Sequence, residues 1–128
     1  MKNILDENKP IFIQIKDQIE DSIMDESYKA DDRVPSTNEF AAFFQINPAT
    51  AGKGINELVA EGILVKRRGV GMFVTEAAKE IVIEKRKQTF YNHFMLPLKE
   101  EAKKLRMNED ELMEMLQRED KQNEDRSE

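Results

Sequence analysis

No cysteine occurs among the 128 residues, which excludes structural disulfides and metal sites built on thiolates. Such a chain is compatible with the cytosol. Histidine is nearly as scarce: His93 stands alone beside Phe90 and Phe94. No zinc constellation or Ser-His triad presents itself, and His93 reads as a structural residue. Only five glycines are present, and none forms a phosphate loop. Gly69-Val-Gly-Met-Phe-Val lacks the third glycine and the following helix of a dinucleotide fingerprint. No apolar run is long enough for a signal peptide or a membrane span, so a soluble, cytoplasmic chain is expected. The many carboxylates fall in i,i+4 charged patterns typical of exposed helix faces. No convergent catalytic set appears, and neither an enzyme nor a cofactor nor a metal is expected.

An excess of positive charge is also missing. Twenty Lys and Arg oppose 26 Asp and Glu, a formal net charge of −6. Splitting the chain at Thr75 leaves each half with three more acidic than basic side chains. Any contact with nucleic acid must therefore rest on a local patch, because the overall field repels phosphate. Lys66-Arg67-Arg68 is the one basic cluster in the first half.

What is present is a run of helix signals. Behind a polar arm over 1–9, Pro10 can open a helix, and Phe12, Ile15, Ile19 and Ile23 recur at helical spacing. An amphipathic helix is expected over 10–24, followed by a polar connector over 25–34. Ser36 stands three residues before Glu39, a capping-box pattern with Pro35 just ahead; Phe40, Ala41 and Phe44 supply the buried face. Asn47 is a preferred N-cap and Pro48 a preferred first helical residue, so a third helix starts there. Ala51, Ile55, Leu58 and Val59 repeat at helical spacing, and Gly62 is its stop. The short gap between the two helices is that of a helix-turn-helix. Residues 63–68 and 72–75, around a glycine turn at 69–71, predict a small hairpin, the wing. The expected fold is mainly α with a small β-hairpin, a winged helix-turn-helix over 1–76.

That element places its second helix in the DNA major groove. Asn47, Ala49, Thr50, Gly52, Lys53 and Asn56 are the small and polar candidates for base edges and phosphates near the helix N-terminus. Gly52 and Gly54 are costly inside a helix, about 1 kcal/mol each relative to alanine. Close approach explains them: Gly52 toward DNA, Gly54 toward a neighbouring helix. Otherwise they are drift in a helix held by packing. In the wing, Lys66, Arg67 and Arg68 can neutralise phosphates or enter the minor groove, with Gly69 and Gly71 permitting a tight turn. Such a hairpin can also be a solvated edge strand guarded by charge. Arg33, Ser36, Thr37 and Asn38, at the start of the second helix, are further DNA-contact candidates. Arg33 and Ser36 can equally be a loop arginine and an ordinary N-cap.

Beyond the wing, residues 77–117 read as a helical region. Ile83, Phe90, Phe94, Leu98, Ala102 and Leu105 share one stripe, and Pro97 implies a kink or two consecutive helices. Asn108 and Glu111 repeat the capping-box logic for a last helix ending near Leu116. Residues 118–128 are charged, lack apolar side chains, and are expected to be disordered. About fifty residues cannot bury this stripe together with Leu112 and Leu116. A homodimer would cover it and present two recognition helices to a palindromic operator, about 34 Å apart or a multiple of that. The alternative is a tail folded back on the first helix.

Several of these segments resemble the GntR family of bacterial transcription regulators, within it the short YtrA-type subfamily. They are Pro10-Ile-Phe-Ile-Gln-Ile, Arg33-Val-Pro-Ser, Glu39-Phe-Ala, Glu61-Gly-Ile-Leu and Gly69-x-Gly-x-Phe-Val74, with Asn47-Pro48-Ala49-Thr50 resembling the subfamily's turn. The match is close over 10–75 and looser over 77–116. Many relatives have arginines where this chain has Pro48 and Gly52, and the usual glycine-proline-glycine connector is here Lys29-Ala-Asp-Asp32. The resemblance implies a homodimeric repressor, often encoded beside transporter genes it controls, whose tail is mostly dimer interface. A small effector among Phe90, His93, Phe94 and Met95 is a further expectation. The competing reading, suited to the acidic balance, is a winged-helix protein-interaction module without specific DNA binding.

Overall fold

The computed structural model describes residues 7–119. These divide into two compact units, one up to Lys87 and one from Gln88 onward. Part of the N-terminal arm and nearly all of the charged tail expected over 118–128 lie outside the described residues.

In the first unit, helix α1 (Ile11–Met24) buries Ile15, Ile19 and Ile23 on one stripe. Each such side chain, fully withdrawn from water, contributes about 1.5–3 kcal/mol. Helix α2 (Thr37–Phe44) begins at a complete capping box: Ser36 Oγ accepts from the Glu39 N–H, and Glu39 Oε1 accepts from the Ser36 N–H. It stops at Gln45, whose left-handed backbone (φ 55) lets the Ile46 N–H reach back to the Ala41 carbonyl at 3.0 Å. This is the position glycine usually fills. The chain turns there directly into helix α3 (Pro48–Ala60), opened by Asn47 and Pro48 as the sequence predicts. Gly62, at φ 82, ends α3, and the Ile63 N–H bonds back to the Leu58 carbonyl.

The polar connector expected over 25–34 ends in a strand. Arg33–Val34 forms a short strand, β1, antiparallel to β3 (Gly71–Val74), which pairs in turn with β2 (Leu64–Arg67). The wing is thus a three-stranded sheet in the order β1-β3-β2 rather than a bare hairpin. Its turn centres on Gly69 (φ 75), while Gly71 already belongs to β3. Phe40, Phe44, Ile55, Leu58, Leu64 and Val74 join the α1 stripe in one core, closed by Ala78 and Val82 from α4 (Ala78–Phe90). Glu20 is buried, and Lys85 Nζ and Arg86 Nε donate to its two carboxylate oxygens.

The second unit answers the Pro97 question. No break occurs; the chain passes through a π-helical segment (Tyr91–Met95) into α5 (Leu96–Lys104). The wider π turn removes the close approach between the proline ring and the preceding turn that an α-helix would impose. Helix α6 (Glu109–Gln117) starts at the predicted capping box of Asn108 and Glu111. Among the described residues no helix is long and apolar enough to cross a membrane.

Candidate nucleic-acid interface

Helix α3 buries Ala51, Gly54, Ile55 and Leu58, which fixes what its opposite face shows. Ala49, Lys53, Asn56 and Ala60 recur at steps of four, three and four residues, and all are exposed. At the N-terminus Asn47 Oδ1 accepts from the Ala49 N–H at 2.7 Å, and Pro48 has no N–H to satisfy. The positive end of the helix dipole is therefore capped but open to solvent, a setting that favours an anion. Thr50 and Gly52 are half-buried. A Cβ on Gly52 would lie 3.5 Å from Thr37 Cγ2, an ordinary contact, so the nearest neighbour of Gly52 belongs to α2. Lys53 Nζ sits 4.0 Å from the centroid of the Phe12 ring of α1, a cation–π contact that restrains it.

At the start of α2, Ser36 and Thr37 are half-buried and Asn38 is exposed. Ser36 is occupied as a cap acceptor and retains its hydroxyl proton for a further bond. The Ser36 backbone hydrogen bond holds the Glu39 carboxyl below its ordinary range, with Arg33 adding to the effect. Arg33 Nη2 stands 3.9 Å from Glu39 Oε1. A Cβ on Gly71 would meet Arg33 Nε at 2.7 Å, part of a flexible side chain that can move aside, but the backbone φ of 143 at Gly71 is one that side chains rarely adopt.

The wing cations differ among themselves. Lys66 and Arg68 are exposed, and among the described residues neither forms an ion pair. Arg67, by contrast, donates to Asp31 Oδ1 at 3.0 Å and lies over the Phe73 ring, 4.2 Å from its centroid. Sequence reasoning missed both carboxylate partners, Asp31 and Glu39. The one available signal was a pair of aspartates next to Arg33.

In the second unit Phe90, Phe94, Leu98, Leu105 and Leu116 are exposed, Phe94 at 63% and Leu116 at 65%. Leu112 is half-buried and Ala102 is buried; in the first unit Ile83 is half-buried. Phe90 and Phe94 touch with ring centroids 5.4 Å apart. His93 is exposed and Met95 half-buried. A groove of about 290 Å³ lies along α5 and α6, lined by Leu96, Lys99, Ala102, Met107 and Leu112; Phe90, His93, Phe94 and Met95 are not part of it. Among the described residues no cluster of three metal-ligating side chains occurs.

Residues 13–74 match the model of the bacterial regulatory proteins of the gntR family. The uncharacterized HTH-type transcriptional regulator YhcF of Bacillus subtilis is 29% identical over 89% of this chain and 93% of its own length. The HTH-type transcriptional repressor YtrA of the same organism is 36% identical over 59% of this chain, which spans 58% of YtrA. A GntR family transcriptional regulator from Listeria monocytogenes superposes with a TM-score of 0.71 at 26% identity, covering 91% of this chain and all of that one. The DNA-binding domain of AraR, solved in complex with operator ORX1, superposes with a TM-score of 0.51 at 30% identity, covering 59% of this chain and 92% of that one. These relatives are transcription regulators, not enzymes. With its capped helix-turn-helix and basic wing, the chain carries a GntR family helix-turn-helix domain over residues 13–74 and is a DNA-binding transcription regulator.

Proposed function

We propose that the protein is a cytoplasmic homodimeric repressor of the YtrA type, acting on a palindromic operator in its own operon or beside neighbouring transporter genes. The observation that carries this reading is the uncovered face of α3: Asn47, Ala49, Lys53 and Asn56 are exposed on a helix otherwise packed against α1, α2 and β2. In the major groove, Asn47, Thr50 and Asn56 supply donors and acceptors to base edges, and Lys53 supplies charge. Arg33, Ser36, Thr37 and Asn38 meet the backbone at the start of α2, with Gly52 close to Thr37. Lys66, Arg67 and Arg68 neutralise phosphates or enter the minor groove beside the Gly69 turn.

On this reading residues 1–76 bind DNA and residues 77–117 dimerise. The exposed Phe90, Phe94, Leu98, Leu105 and Leu116 support that division, because a large apolar patch marks an interaction surface. Ala102 and Leu112 of the second unit and Ile83 of the first complete the proposed dimerisation residues. The two recognition helices then meet half-sites about 34 Å apart or a multiple of that. Phe90, His93, Phe94 and Met95 form the place for a small effector at that junction. Salt titration of DNA binding tests the wing: Arg68→Ala should flatten the slope of log K against log salt by about 0.9. An unchanged slope would contradict a DNA-facing wing.

A further inference from the structure

The hydrogen bond between Arg67 and Asp31 joins a proposed phosphate contact to a carboxylate of the same chain. Asp31 holds a backbone φ of 70, a left-handed conformation that glycine and asparagine enter far more readily than most residues. Its N–H donates to the Val74 carbonyl at 2.8 Å, and the Val74 N–H donates to the Asp32 carbonyl at 2.9 Å. The carboxylate is thereby anchored to β3, the strand that pairs with the one carrying Arg67. The Phe73 ring holds the guanidinium from a second side. Both side chains of the pair remain substantially exposed, at 47% and 62%, so a phosphate can reach the arginine. An exposed pair of this kind is weak, so it competes with a poorly placed nonspecific phosphate and yields to a well-placed one. Asp31 thus offers Arg67 the carboxylate version of a phosphate oxygen.

We propose that Asp31 is a built-in competitor for DNA phosphate: it keeps Arg67 out of backbone contact on nonspecific DNA and so lowers affinity for random sequence. This rests on the DNA-facing wing proposed above. An acidic aspartate in a glycine-favouring turn, aimed at the centre of a three-residue basic cluster, is the arrangement such a restraint requires.

The test is binding of the full chain to a labelled random-sequence duplex by anisotropy across a salt series. Asp31→Asn and Asp31→Gly both suit the left-handed backbone and remove the charge. Each should raise affinity severalfold and steepen the salt slope by about 0.9, the signature of one added phosphate contact. In an Arg67→Ala background neither should change affinity or slope. An equal gain in that background would make Asp31 a general repulsive charge and overturn the proposal. No effect of Asp31→Asn, with Arg68→Ala still flattening the slope, would overturn the competitor while sparing the wing. No effect of either would remove the DNA-facing wing and the proposal together.

Discussion

Gly54 of α3 lies so close to the Phe12 carbonyl of α1 that a Cβ at Gly54 would stand 2.8 Å from that oxygen. Backbone cannot yield there as a flexible side chain would. Gly54→Ala should therefore destabilise the protein by about 1–3 kcal/mol, as overpacking does, despite the better helix propensity of alanine. Gly52→Ala meets only an ordinary contact with Thr37 and should be neutral or stabilising by up to about 1 kcal/mol. Urea denaturation of both variants checks the pair. An unaffected Gly54→Ala would contradict the packing of α3 on α1.

Acid should weaken the first unit through identifiable carboxylates. Glu26 is held below its ordinary value of 4.5 by Lys79, Glu39 by the Ser36 backbone, and Glu57 by Lys16. A carboxyl with a lowered folded pKa contributes stability above 4.5 that is lost as pH falls through the folded value. Lys16 behaves oppositely. Burial pulls its pKa down, but Glu57 and Glu61 overcompensate and hold it above 10.5, so its contribution is present below 10.5 and lost above the folded value. Denaturation midpoints should form a plateau between about pH 5 and 10 from these groups, with a falling acid limb. Glu57→Gln should make that limb shallower; an identical limb would show that Lys16 and Glu57 are uncoupled.

Phe94 is 63% exposed in the single chain, so Phe94→Glu should leave the fold intact while introducing charge into the proposed dimer face. Sedimentation should find a dimer for the native chain and a monomer for the variant, with circular dichroism unchanged. Operator affinity should fall more than tenfold as bivalent binding is lost. A variant that remains dimeric would move the interface elsewhere.

Much of this molecule can be read from local signals. Ser36 with Glu39, Asn47 with Pro48, and Asn108 with Glu111 act within one helical turn, so each helix start is visible in the sequence. The strand at Arg33–Val34 is not, because its pairing partner Gly71–Val74 lies nearly forty residues away and two residues carry no alternation. The same long-range pairing hides Asp31 beside Arg67 and Arg33 beside Gly71. Gln45 in a left-handed turn was likewise invisible, since glycine is the usual signal there. For Gly54 the expectation of close helix approach holds; for Gly52 the neighbour found is Thr37.

The central claim is sequence-specific DNA binding through α3 and the wing, and anisotropy on the promoter fragment upstream of the protein's own gene tests it most directly. Titration across several salt concentrations with excess random duplex should give saturable, competitor-resistant binding. Footprinting should then show two protected half-sites about 34 Å apart or a multiple of that. Binding no tighter than to random duplex at every salt concentration would contradict the proposed operator.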